Sequence, residues 1–144
     1  MISKTVLVLA EDFAKLDAAA AAKALARGLE ADGRWATDLC ALPAIAGAPR
    51  PAGAQLDERD FDSRLRAARC LVVVAARLDD ATLAGSVAFE AATRARQGGV
   101  PAYAATARDQ LDPFEARIVD LQVILEAGNT RALAAAGRKL AALV

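Results

Sequence analysis

The sequence predicts a single domain over residues 1–144 with a three-layer αβα architecture. Its sheet is expected to be five-stranded, mostly parallel, and Rossmann-like or flavodoxin-like. Three observations predict this. The runs Val6-Leu7-Val8-Leu9 and Leu71-Val72-Val73-Val74 are apolar without alternation, as strands covered on both faces are. Between such runs lie segments with helical spacing, about ten to sixteen residues long, which is the pattern of a parallel α/β sheet. And a chain of 144 residues buries roughly 68–70% of its unfolded surface, enough for one core without disulfides or metal.

Taken in order, the first strand is Val6 to Leu9. Asp17 then opens an alanine-rich helix to about Asp32, closed by Gly33, with Leu25 and Leu29 four apart on one face. Trp35 to Ala41 makes a second, less hydrophobic strand. The stretch at about 42–56 carries Pro43, Pro49, Pro51, Gly47 and Gly53 and is expected to be a long loop. Leu56 to Ala68 follows as one amphipathic helix, with Phe61 and Leu65 four apart. Leu71 to Val74 is the strongest strand and is placed at the centre. A helix from about Ala81 to Arg96 ends at Gly98-Gly99, and Pro101 to Ala105 is the fourth strand. Pro113 opens a short helical turn, Leu121 to Leu125 is the fifth strand, and Thr130 to Leu143 is the last helix, capped by Asn129 or Thr130.

Composition removes whole classes of function. Eighteen basic and eighteen acidic residues give zero formal net charge, so no nucleic-acid partner is expected. There is no histidine, which excludes Ser-His-Asp and Cys-His nucleophiles, histidine bases and histidine metal ligands. Cys40 and Cys70 stand alone at the edges of apolar runs and read as packing thiols. The opening apolar run is too short for a signal peptide or a membrane span, so the expected location is cytoplasmic, with no membrane partner. Neither a G-x-G-x-x-G nor a G-x-x-x-x-G-K-[ST] motif occurs, which excludes dinucleotide and P-loop sites.

In a parallel sheet, ligands bind beyond the carboxyl ends of the strands. The residues expected there are Glu11, Asp12 and Lys15, then Arg77, Asp79, Asp80 and Thr82 after the third strand. Thr106, Arg108 and Asp109 follow the fourth, and Glu126, Asn129 and Thr130 the fifth. Carboxylates there suit Mg²⁺ and arginines suit a carboxylate or phosphate; equally, such residues serve as solvated loop ends and helix caps.

Two segments carry a family resemblance. Val6 to Leu29 resembles the start of bacterial type-2 glycerate kinases, a strand followed by A-P-D-S-F-K-G-S-L-S-A and an alanine-rich helix. Ala10, Asp12, Lys15, Leu16 and Ala18 match once two family residues are deleted, and Leu42-Pro43 matches the start of the family's L-P-x-A-D-G-G-E-G. Ala68 to Leu83 resembles A-D-L-V-I-T-G-E-G-R-L-D-x-Q-[ST]. Arg77, Leu78, Asp79, Thr82 and Gly85 are retained, and Gly99-Val100-Pro101 matches the turn that follows. The family's large segment between these regions is missing. Its Gly-Glu-Gly is Val74, Ala75 and Ala76 here, and its Gln, His and Lys positions are Ala81, Ala84 and Ser86.

The resemblance implies the discontinuous α/β domain of such a kinase made continuous, with most catalytic motifs gone. Phosphoryl transfer needs electrostatic stabilisation from both walls of a closed cleft, and one wall alone does not supply it. The expected function is therefore binding of a small organic acid or phosphate by Asp12, Lys15, Arg77, Asp79 and Thr82. No catalytic or metal-ligating residue is assigned, and ATP with Mg²⁺ enters only if kinase chemistry survives. Two alternatives stand beside this: a homodimeric or partner-binding module using the alanine-rich helices Ala18 to Ala22 and Ala132 to Ala142, and a residual phosphotransferase completed by a second subunit.

Overall fold

A computed structural model describes residues 3–13, 15–43, 50–83 and 85–144. The apolar runs become the middle of a five-stranded, all-parallel sheet: β1 (Thr5–Glu11), β2 (Ala36–Leu42), β3 (Cys70–Asp79), β4 (Ala102–Gln110) and β5 (Leu121–Glu126). Their order is β2-β1-β3-β4-β5, the flavodoxin-like arrangement of a three-layer α/β fold. The helices are α1 (Ala18–Leu29), α2 (Ala52–Asp57), α3 (Phe61–Arg66), α4 (Asp80–Leu83), α5 (Val87–Gln97), α6 (Pro113–Val119) and α7 (Thr130–Leu143).

Strand periodicity sorts the core into two layers. Val6, Val8 and Ala10 of β1 join Val72 and Val74 of β3 in a cluster with Leu25 and Leu29 of α1 and Leu133 and Leu140 of α7. Leu7, Leu9, Leu71 and Val73 point the other way, onto Leu56, Phe61, Leu65 and the alanines of α5. Cys40 and Cys70 are free thiols buried in this packing, one in each layer.

The alanine-rich faces are used inside the chain. Ala21, Ala22 and Ala24 of α1 and Ala136 and Ala141 of α7 are buried where the two helices meet. A Cβ at Gly28 would come within 1.9 Å of the Ala134 carbonyl oxygen, and one at Gly137 within 2.2 Å of that of Leu25. The backbones therefore touch at two glycines, and the small residues serve this intramolecular contact.

Three expectations are corrected. The single helix over 56–68 is two short ones, and α2 begins at Ala52, inside the stretch expected to be loop. The break falls at Asp60, whose φ of 57° turns the chain so that Leu56 and Phe61 both enter the same core layer. Residues 44–49 of the expected loop lie outside the described residues. The helix expected over 81–96 likewise divides into α4 and α5. Gly85 at φ 79° stands between them, and the Ser86 hydroxyl caps α5 by accepting from Phe89 N at 3.0 Å.

Finally, β3 and β4 run on beyond their apolar segments, pairing Arg77 with Arg108, Leu78 with Asp109 and Asp79 with Gln110. Polar residues expected after these strands are part of them, because each strand completes the other's ladder where β1 has already ended. Asn129, not Thr130, caps α7, its side chain accepting from Ala132 N at 2.8 Å. Among the described residues no helix is long and apolar enough to cross a membrane.

Candidate functional site

The sheet has a step at its carboxyl edge. β1 pairs with β3 only as far as Ala10 against Val74, whereas β3 continues five residues further to Asp79. The same boundary is where the topology reverses: β1 leads through α1 to β2 on one side, and β3 leads through α4 and α5 to β4 on the other. Such a switch point leaves a crevice between diverging connections. Here it is a shallow cleft of about 160 Å³, lined by Glu11, Arg77, Leu78, Asp79, Leu83 and Ser86, with Ala88 behind.

Strand geometry places Arg77 and Asp79, two apart, on one face, while Leu78 between them is buried. Arg77 Nε lies 2.7 Å from Asp79 Oδ2; the arginine side chain is 51% exposed and the aspartate 15%. The arginine side chain thus stays partly open to solvent and has donors beyond the Nε–H. Glu11, the last residue of β1, is largely buried in the same cleft. Burial, with a smaller contribution from the charge of Asp12, pushes its carboxyl above the usual glutamate range.

Of the residues expected to bind ligand, Arg77 and Asp79 are brought together. Asp12 and Lys15 are not among the cleft-lining residues. Asp12 Oδ1 accepts from Ala18 N at 2.9 Å, and Asp17 Oδ1 accepts from Ala20 N at 2.8 Å, so both acids serve the first turn of α1. Lys15 is exposed on a tight turn closed by Phe13 N to Leu16 O at 2.7 Å and Leu16 N to Phe13 O at 3.0 Å. Thr82 belongs to α4, and its side chain lies outside the described residues.

The polar residues farther along the edge serve the backbone. Glu126 accepts from Asp109 N at 3.3 Å, Asp112 caps α6 through Glu115 N at 2.8 Å, and the Thr106 hydroxyl donates to Arg108 O at 3.2 Å.

Glu11 lines the cleft although it is not in the expected binding set. Its only signal in the sequence is its place directly after the apolar run, one residue before an aspartate that has the same chemistry but turns into the helix cap. Among the described residues no group of three or more His, Cys, Asp or Glu side chains is placed to hold a metal ion. In comparisons with known proteins, no family model and no curated protein matches the chain.

Proposed function

We propose that the chain is a glycerate-kinase-like α/β binding module without kinase chemistry, whose cleft at the β1–β3 step takes a small organic acid or phosphate through Arg77. The observation that carries this reading is the half-exposed Arg77 side chain among the residues that line that cleft, held by Asp79 on the same strand face. An arginine held by a carboxylate on one side and exposed on the other presents a fixed fork to an incoming oxyanion. Cleft size argues for a small ligand: about 160 Å³ is well below the roughly 300–1,000 Å³ of sites that enclose drug-sized molecules. A nucleotide and an acceptor held together for phosphoryl transfer need far more room and a second wall.

Thermal unfolding with and without D-glycerate and inorganic phosphate tests the reading. Ligand at a hundred times its dissociation constant adds roughly 2.7 kcal/mol, a rise of about 5–10 °C for a domain of this size. The rise is expected in the native chain and lost in Arg77→Ala. No rise with either ligand overturns the reading.

A further inference from the structure

The two helices on one side of the sheet carry an uncompensated charge. α1 and α7 together hold five cations, Lys23, Arg27, Arg131, Arg138 and Lys139, and not one aspartate or glutamate. The helices α2 to α6 hold five acids and five arginines. A net charge of zero over the whole chain hides this separation. All five cations are exposed, and among the described residues none of them pairs with a carboxylate. On the other side of the sheet, Arg64 lies 2.6 Å from Asp38, and Arg94 bridges Asp57, Asp62 and Glu90. The acids at the ends of the α1–α7 layer are engaged elsewhere. Asp17 caps α1, Thr37 donates its hydroxyl to Glu30 Oε1 at 2.6 Å, and Asp32 holds Arg34 at 2.7 Å.

The cations form a plane of charge rather than a line. Lys23 and Arg27 are one turn apart on α1, and Arg131 and Arg138 two turns apart on α7. The two rows adjoin where the helix backbones touch: a Cβ at Gly28 would fall 2.8 Å from Arg138 N. Between the cations stand Ala19, Ala20, Ala134 and Ala135, small residues that keep the face low. Gly137 faces α1, so Lys139 and Leu143, two and six residues on, fall on the far side of α7, with Leu143 54% exposed. Like charges one turn apart oppose each other, and those on the neighbouring helix add to the repulsion. An anionic partner relieves it.

We propose that the α1–α7 face is a docking surface for an anionic lipid bilayer, held by charge, with Leu143 entering the headgroup region at its rim. This does not depend on the cleft at Arg77. A plane of lipid phosphates meets both rows of cations at once, whereas an extended acidic segment or a nucleic-acid backbone follows one row. Neither helix has an aromatic side chain for stacking on bases, and beyond Thr130 neither has a hydroxyl or amide for reading base or peptide edges. A second copy of the chain is a poor occupant, since a two-fold contact sets these cations against themselves. Clusters of roughly four to eight lysines and arginines draw proteins to acidic lipid surfaces by charge.

Co-sedimentation of the full chain with lipid vesicles tests the proposal. Binding is expected to phosphatidylcholine vesicles containing about one third phosphatidylglycerol at about 0.05 M NaCl, with release at about 0.5 M. Vesicles of phosphatidylcholine alone should not bind. Each cation removed from the face should weaken partitioning about fivefold, so Arg27→Gln combined with Arg138→Gln should lower it about twenty-five-fold. Arg66→Gln combined with Arg117→Gln, on α3 and α6, makes the same change in net charge. These positions lie across the sheet, beyond the reach of screened charge, and their loss should change partitioning by less than about twofold. Glutamine suits an exposed helix position, and thermal melts confirm that both double variants fold. Equal loss in the two variants overturns the proposal, because net charge then acts in place of the face. Absence of binding to the anionic vesicles overturns it as well, whether or not a duplex oligonucleotide or polyglutamate binds instead.

Discussion

Arg94 ties three helices together through one guanidinium. From α5, Nη1 reaches Asp57 Oδ1 of α2 at 2.8 Å and Asp62 Oδ1 of α3 at 3.1 Å, and Nε reaches Glu90 Oε1 one turn back at 3.1 Å. Nη2 also donates to Gly53 O at 3.4 Å. With 17% of its side chain exposed, Arg94 is far better shielded than the surface pairs Arg34–Asp32 and Arg50–Glu58, which solvent screens almost completely. Its carboxylate partners keep much of their hydration, which limits the penalty for stranding them. Arg94→Ala is therefore expected to cost about 1–2 kcal/mol in urea unfolding. Arg94→Lys should recover less than half of it, since an ammonium cannot reach three carboxylates and a carbonyl in fixed directions. Full recovery by lysine would show that charge, not the fork, is what matters.

At the scale of elements, the α1–α7 contact inverts an ordinary rule. Replacing a helical glycine by alanine usually gains up to about 1 kcal/mol of helix propensity. At Gly28 and Gly137 the added Cβ meets backbone oxygens at 1.9 and 2.2 Å, so the helices must move apart and their alanine and leucine faces lose contact. Gly28→Ala should destabilise the chain by about 1–3 kcal/mol or more in denaturant unfolding, whereas a gain would mean that the helices are not packed backbone to backbone. Such closeness was only half legible. The small residues were visible in the sequence, but the same stripes suit a contact between subunits, and only the path of α7 back over the sheet decides. Elements were readable wherever apolar periodicity defined them, as in β1, α1 and α7. The breaks at Asp60 and Gly85 were not, because a single residue of positive φ inside a polar stretch leaves the periodicity on either side unchanged. The polar ends of β3 and β4 escaped for a related reason. The apolar run marks where helices cover both faces of the sheet, and the ladder continues past that cover. Position after an apolar run was enough to expect Arg77 and Asp79 at the carboxyl edge of the sheet, where the cleft lies. Which of the adjacent acids Glu11 and Asp12 turns into the cleft depends on where β1 stops and which of them caps α1, and neither is written in composition or spacing.

Over the whole molecule, the order β2-β1-β3-β4-β5 gives the central strands cover on both faces. Thr106 is the one polar side chain in the fully buried set of the described residues. A core so nearly free of ionisable groups gives its buried thiols a clear signature at high pH. Cys70, 1% exposed at the start of β3, has its thiol pKa pushed up to about 12 by burial, against a small opposing pull from Arg69. An unfolded thiol ionises near pH 9. Between these values the folded chain keeps a proton that the unfolded chain has lost. Stability linked to this group is therefore complete below pH 9 and falls as pH rises towards 12, by about 1.4 kcal/mol per pH unit. Burial raises Cys40 as well, and that group cancels between the native chain and Cys70→Ala. Tyr103 is raised by burial and by the charge of Cys70, so the variant loses that coupling too and the difference between the two slopes keeps its sign. Urea unfolding from pH 9.5 to pH 11 should show the native chain losing about 2 kcal/mol more than Cys70→Ala over that interval. The variant starts lower at pH 7 because the missing sulfur leaves a small void, so the slope is the quantity to compare. Parallel slopes would mean that the thiol reaches solvent before the chain unfolds, and that the lower end of β3 opens independently of the rest of the sheet.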